Sequence, residues 1–220
     1  PEKELHREIS VTETIFNNES DTKNRPRHAL RLARLVRATG DWERVVQILS
    51  PFAKKDNFEI MLLYGHALCQ KNKNHTQNPE FKTGINILAL IARPNERIKP
   101  KEYERDPLFD PYTIKLRSEA LYYLGLAGRC MPNKITDAQT WFRMAFELEP
   151  DNPYYFTAYL ELEWARHHQI YSLNLLGPSI KTALEKCRNH VHMNIEQFRA
   201  YMTMGKLYLI INKPEKSLGA

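Results

Sequence analysis

His66 and Cys69 stand three residues apart, so on a helix they share a face, and a thiolate–imidazole pair there would be the chemistry of a covalent nucleophile. The sequence gives that pair little support. A buried cysteine is more often a small packing residue, and nothing nearby suggests donors for an oxyanion. The other histidines do not assemble into a site. His167 and His168 are adjacent, so on a helix they point about 100° apart and cannot face one metal ion. His190-Val191-His192 has no acidic or thiol partner close in sequence. No HExxH, GxSxG, phosphate-loop or paired-carboxylate motif occurs. Trp42, Trp141, Phe142 and Tyr208 fall where helices pack and read as core. The expectation is a protein that is not an enzyme and holds no cofactor or metal.

Arginine offers a second chemistry. Arg31, Arg34 and Arg37 recur every three residues, which on a helix places the guanidinium groups on neighbouring positions. Residues 25–55 hold eight Lys or Arg against Asp41 and Glu43, whereas residues 147–163 hold five carboxylates and no Lys or Arg. A charge run is usually a solvated face. It also suits contact with a carboxylate-bearing segment, or with phosphate, which needs only positive charge. The formal charge of +6 permits an acidic partner without requiring one.

These residues must be held by some framework. With 42% apolar and 26% charged residues in a chain of 220, the composition is that of a globular protein. The apolar stretch from Ile85 to Ala92, interrupted by Asn86, is far short of the roughly 18 residues of a membrane span. Only eight glycines disfavour glycine-rich phosphate loops and all-β folds. Cys69, Cys130 and Cys187 form no CxxC pair, which fits a reducing, cytoplasmic (intracellular) compartment rather than a disulfide framework or zinc site. The chain opens on Pro1-Glu2-Lys3-Glu4-Leu5-His6, with neither an initiator Met nor the apolar core of a signal peptide, and reads as the interior of a longer chain.

Internal periodicity carries the fold reading. Ser118 to Asn152 contains Leu121, Leu124 and Gly125, then Ala138, Phe142, Ala145 and Pro150. Related spacings recur in Leu32, Ala33 and Val36, followed by the turn Gly40-Asp41-Trp42 and by Val45, Leu49 and Phe52. Met61, Tyr64, Gly65 and Leu68 lead to Gly84, Leu88 and Ile91, and Phe156, Tyr159 and Leu160 to Ala183 and Cys187. Tyr201, Met204, Gly205 and Tyr208 precede Pro214 and Ser217. The pattern resembles the tetratricopeptide repeat, a helix–turn–helix unit of about 34 residues, most specifically in the closing phrase Glu147-Leu148-Glu149-Pro150-Asp151-Asn152-Pro153. It departs from the family by one extra residue in the turn from Cys130 to Lys134 and by Gly128 at a usually aromatic place. Small residues facing each other let the paired helices approach, while large ones fill the space between units.

The expected fold class is therefore all-α, a right-handed α-solenoid of about five tetratricopeptide-like hairpins. The repeats span 26–56, 58–92, 118–152, 153–191 and an incomplete 198–220. Residues 1–25 read as an N-terminal leader and linker outside the array. Residues 93–113, with Pro94, Pro100, Pro107 and Pro111, read as a long non-helical connector. Lys71 to Pro79 and Ile170 to Pro178 read as expanded turns. The last repeat would leave Tyr201, Met204 and Tyr208 open, to be covered by a capping helix further along the chain.

The resemblance implies where a partner would sit, because the family lines its concave surface with set places of each first helix. Here these are Arg27, Leu30, Arg34 and Arg37; Glu59, Leu62, His66 and Cys69; Glu119, Tyr122, Leu126 and Arg129; Tyr154, Thr157, Glu161 and Trp164; and Arg199, Met202, Lys206 and Leu209. The groove residues expected to meet a partner are Arg27, Arg34, Arg37, His66, Tyr122, Leu126, Arg129, Trp164, Arg199 and Lys206. Such a groove suits a protein or peptide segment with acidic and apolar side chains, and the module would be an interaction scaffold. One alternative is a regulatory array docked to another domain of the chain and controlling an effector such as a kinase, NTPase or caspase-like protease. Another is RNA or single-stranded nucleic acid bound by the basic first repeat. Two subgroup readings fit poorly. The carboxylate clamp for heat-shock chaperones needs Asn where this chain has Arg34 and Leu63. The base-reading place of pentatricopeptide repeats holds Leu30, Leu62, Tyr122, Thr157 and Met202, which form no hydrogen-bond code.

Overall fold

The computed structural model describes residues 2–54, 57–93, 111–168, 170, 173–193 and 195–212. Among them the architecture is all-α, with no strand. The helices are α1 (Glu2–Asn18), α2 (Arg25–Ala38), α3 (Trp42–Leu49), α4 (Phe58–Lys71), α5 (Pro79–Ala92), α6 (Pro111–Gly128), α7 (Ile135–Leu148), α8 (Pro153–His167), α9 (Leu173–His192) and α10 (Gln197–Ile210). No helix of the described residues is long and apolar enough to cross a membrane. The chain divides into two compact units, Pro1–Pro132 and Asn133–Ala220. That division falls between α6 and α7, so the span 118–152 read as one repeat contributes a helix to each unit.

Local chemistry sets the helix starts. Asn78 and Asn152 each precede a proline, and their side chains accept from the backbone N–H of Glu80 (2.8 Å) and Tyr154 (3.1 Å). Proline at the first helical position gives up an N–H that has no partner there anyway, while the Asn cap contributes about 1 kcal/mol. Asn57 caps α4 through Ile60 N–H, and Asp41 caps α3 through Arg44 N–H at 3.0 Å. Gly40 makes the α2–α3 turn at φ +79°, a left-handed conformation that glycine adopts without strain.

In the first unit each helix packs on the next in the chain, and α4 also meets α2 and α6. The core joins Leu32, Ala33 and Val36 of α2 to Val45 and Leu49 of α3 and to Ile60, Leu63 and Leu68 of α4. The leader expected to stand apart is part of this unit. Ile9 of α1 enters the core, Glu13 pairs with Arg44 at 2.7 Å, and Phe16 meets Phe52 edge-on. Alternate turns of α1 carry apolar side chains, and that stripe needs a covering surface. Between α4 and α5, Gly65 faces Gly84. A Cβ on Gly84 would lie 2.7 Å from both Cys69 Sγ and the Gly65 carbonyl oxygen, so the helices touch backbone to backbone. Lys71 links α4 to Glu43 of α3 and Glu80 of α5, each at 3.0 Å; hydrogen bonds to those two carboxylates raise its pKa. Helix α6 begins at Pro111, so the last three residues of the proposed connector form its first turn. The connector residues 94–110 lie outside the described residues.

In the second unit α7 packs on α8, α8 on α9 and α10, and α9 on α10. Phe156, Leu160, Ile180, Ala183, Cys187, Ala200, Met204 and Leu207 form its core. The expanded turn expected over 170–178 is shorter than read, because α9 runs from Leu173 with Pro178 inside it. The proline sits near the helix start, where its missing N–H deprives only the carbonyl of residue 174. Met204 and Tyr208, expected to lie open, are buried against α8 and α9. The second helix expected for the fifth repeat, residues 213–220, lies outside the described residues.

Candidate functional site

The first unit gathers expected groove residues of α2, α4 and α6 around one phenol. Arg37 donates to Tyr123 Oη at 3.0 Å, and Tyr123 donates in turn to Glu119 Oε1 at 2.6 Å. The His66 ring stacks on Tyr123 at 3.8 Å and 20°, with Trp42 edge-on at 5.1 Å on its other side. Arg34, one helical turn before Arg37, pairs with Glu59 of α4 at 2.9 Å. A single polar and aromatic relay thus joins four helices, α2, α3, α4 and α6.

The relay corrects one expected contact residue. His66 is only 5% exposed, closed in by Trp42 and Tyr123, and cannot meet a partner. Leu30, Leu62 and Cys69, also placed on the groove surface by repeat position, are buried. The cause is the setting of α4, which packs against α2, α3, α5 and α6 and is apolar nearly all round, as a helix without a solvent face must be. What remains accessible is narrower. Arg27 and Arg34 of α2 are exposed, Arg37 is half-buried, and on α6 Tyr122 and Leu126 are half-buried with Arg129 exposed. Arg27 and Arg31 have no ion-pair partner among the described residues.

Tyr123 was not singled out by repeat position, although it is the hub of the relay. Its only signal in the sequence is a second tyrosine directly after a groove tyrosine. A helical wheel turns it about 100° away from Tyr122, toward α4.

Cys69, read as half of a conceivable thiolate–imidazole pair, is a packing residue here. Burial, and then the neighbouring Cys130, push its thiol pKa up to about 12, and its Sγ lies 3.9 Å from the Phe81 carbonyl oxygen. Burial raises Cys187 to about 11. At pH 8 the thiolate fraction at Cys69 is on the order of 10⁻⁴. Iodoacetamide at that pH is therefore expected to label half-buried Cys130 first, with Cys69 and Cys187 reacting only after denaturation. Peptide mass spectrometry reads the order, and early labelling of Cys69 would contradict it. The sign of the linkage follows: an unfolded thiol ionises near pH 9, so these two cysteines reduce stability as the pH rises from about 9 toward 12.

In the second unit two contacts define how α8 and α10 lie. The Arg199 guanidinium sits 3.9 Å over the Tyr154 ring, and Lys206 pairs with Glu161 at 2.9 Å. Both contacts join residues 45 apart in number, so the two helices run parallel and in step. That register brings Trp164, 49% exposed, level with Leu209. Tyr154 and Thr157, placed on the groove surface by repeat position, are instead buried. Tyr154 also shares a hydrogen bond of 2.8 Å with His190 Nδ1. Beside it a cleft of about 450 Å³ opens between the loop before α8 and the side chains of Lys186 and His190. Glu149, Asp151 and Lys186 line it with both signs of charge, and Lys186 is paired with Asp151 at 3.0 Å. Nothing there favours one small ion. Glu163, also buried, lies beside Tyr159, whose pKa burial raises first and the Glu163 charge second.

Of the expected groove residues, the first unit therefore holds Arg27, Arg34, Arg37, His66, Tyr122, Leu126 and Arg129, and the second holds Trp164, Arg199 and Lys206. Among the described residues no group of three or more His, Cys, Asp or Glu is placed to hold a metal ion. Comparisons with protein-family models, curated proteins and solved structures find no match to this chain.

Proposed function

We propose that this chain is a protein-interaction module built from tetratricopeptide-like hairpins, in the right-handed solenoid arrangement that the repeat resemblance implies. Its ligand is a partner segment carrying acidic and apolar side chains. The observation that carries this reading is the accessible surface of the first unit, where the α2 guanidinium groups and half-buried Tyr122 and Leu126 of α6 stand on two helices that both pack on α4 and that the Arg37–Tyr123 hydrogen bond joins. Aromatic and arginine side chains of this kind dominate interface energetics, each contributing about 2 kcal/mol or more at a hot spot. The three free cysteines suit a reducing, cytoplasmic setting.

The test is an array of acidic, basic and neutral peptides with interspersed apolar residues, probed with the full chain. Acidic peptides are expected to bind, and the combined variant Arg27→Glu, Arg34→Glu, Tyr122→Ala should weaken them at least tenfold while far-UV circular dichroism stays unchanged. Binding that survives in the variant would refute the assignment. Unpaired Arg27 and Arg31 favour nucleic acid as the second reading. A single-stranded oligonucleotide titrated at 50 and 200 mM salt separates the two, since each phosphate contact steepens the salt dependence.

A further inference from the structure

A cavity of about 420 Å³ opens beside the start of α2, and no residue expected in the groove lines it. Its volume lies within the roughly 300–1,000 Å³ of small-molecule sites. One wall is the turn that leads into α2, where the Asp21 carbonyl accepts from the N–H groups of Asn24 and Arg25 at 3.2 and 3.1 Å. The other is the 3₁₀ turn Ser50–Phe52 after α3, with Lys54 and Asn57 beyond it. Lys54 N–H donates to the Phe52 carbonyl at 2.8 Å, and Asn57 N–H to the Lys54 carbonyl at 3.1 Å. Phe16 of α1 ties the two walls together. It meets Phe52 edge-on at 6.2 Å and lies 5.4 Å beneath the Arg25 guanidinium.

The charge in this cavity has one sign. Arg25 and Lys54 both line it, and among the described residues no carboxylate does. Neither cation has an ion-pair partner among the described residues. The ring contact of Arg25 places the side chain but leaves its charge uncompensated. The carboxylates of the preceding turn are engaged elsewhere. Asp21 accepts from Lys23 N–H at 2.8 Å and Asn24 Nδ2 at 3.1 Å, and Glu19 pairs with His28 at 3.3 Å. Two neutral donors complete the lining. Asn57 Oδ1 accepts from Ile60 N–H at 3.3 Å, which leaves its amide N–H groups to donate, and the Thr22 hydroxyl can donate too.

Two cations and two neutral donors call for an anion with more than two acceptor oxygens. A phosphate monoester carries three such oxygens and nearly two charges near neutral pH, against two oxygens and one charge for a carboxylate. The rest of the lining, Pro51 and half-buried Phe52, is apolar, and the space exceeds what a phosphate group alone would fill. We propose that this cavity binds a small phosphate monoester with an apolar or aromatic body, its phosphate between Arg25 and Lys54 and its body against Phe52. The inference uses none of the groove residues and stands apart from the reading above.

Calorimetric titration of the full chain with phenyl phosphate, benzoate, phenol and inorganic phosphate tests it. Phenyl phosphate is expected to bind at least tenfold more tightly than benzoate or phenol, and more tightly than inorganic phosphate. The double variant Arg25→Gln, Lys54→Gln, both at exposed positions, should weaken it at least tenfold with circular dichroism unchanged. Lys54→Gln alone should weaken it at least threefold, which separates lost charge from any loosening of the Phe16 contact. Arg7→Gln, Lys82→Gln removes two exposed cations outside the cavity and should change nothing. No binding of phenyl phosphate, benzoate binding equally well, or affinity indifferent to the cavity variants overturns the inference. Equal losses in the two double variants would reduce it to general positive charge and equally overturn it. A phosphotyrosine peptide binding tenfold more tightly than phenyl phosphate would make a partner chain the source of the phosphate and refute the small-molecule assignment.

Discussion

Gly84→Val is expected to lower the stability of the first unit by about 3 kcal/mol, at the upper end of what overpacking costs. The first carbon of any side chain at this position would lie 2.7 Å from Cys69 Sγ and equally close to the Gly65 carbonyl oxygen. A sulfur at the end of a side chain can rotate away, whereas a carbonyl inside α4 cannot move without the helix. Valine then adds two methyl groups and forces α4 and α5 apart. Gly84→Ala isolates the contact. Helix propensity alone would make alanine more stable by about 1 kcal/mol, so a lower melting temperature reports the clash and a higher one would refute the close approach. Adding Cys69→Ala should restore only part of the loss, because the Gly65 oxygen remains. Urea denaturation followed by circular dichroism measures all three variants.

Phe156→Ala is expected to cost the second unit about 4 kcal/mol, in the range for a fully buried aromatic ring. The ring is 1% exposed, lies 4.9 Å from Phe146 of α7, and reaches into the core shared by α8, α9 and α10. No small rearrangement closes the cavity, since Leu160, Ala183 and Cys187 around it are themselves packed on all sides. The melting temperature should fall by more than about 10 °C. A drop of only one or two degrees would mean that the site collapses around the cavity. The contrast with Leu209 is the useful measure. Leu209→Asp removes an apolar side chain of similar kind from the same unit, yet at 59% exposure it should leave the melting temperature within a degree or two.

Much of the helical framework was legible in residues. Gly40-Asp41-Trp42 reads as a turn because glycine takes a positive φ and aspartate caps, and Asp41 does accept from Arg44 N–H. Pro79 and Pro153 begin helices, α4 ends at Lys71 and α5 at Ala92 where the repeat reading places them, but α3 stops at Leu49, short of Phe52, which the repeat spacing places in the same helix. The small residues Gly65 and Gly84 stand opposite each other, as close packing of a hairpin requires. The candidate site was less legible. Repeat position puts His66, Leu62 and Cys69 of α4 on an open surface and says nothing of Tyr123. A position along one helix cannot report how many other helices surround it. For the same reason Met204 and Tyr208, apolar and regularly spaced, read as an uncovered face until α9 is seen to cover them.

Composition, capping residues and apolar spacing determined by themselves that the chain forms helices and roughly where α2, α4, α5, α8 and α10 begin, because those are local energies of the backbone and its nearest side chains, whereas α6 and α9 start inside spans read as connector and turn. Tertiary structure alone decided that α1 belongs to the first core and that α4 has no open face. It likewise decided that the span 118–152, read as one repeat, is divided between two units, and that Phe198, Met202 and Leu209 rather than Met204 and Tyr208 meet solvent. Those outcomes depend on contacts between residues far apart in the chain, which no local spacing encodes.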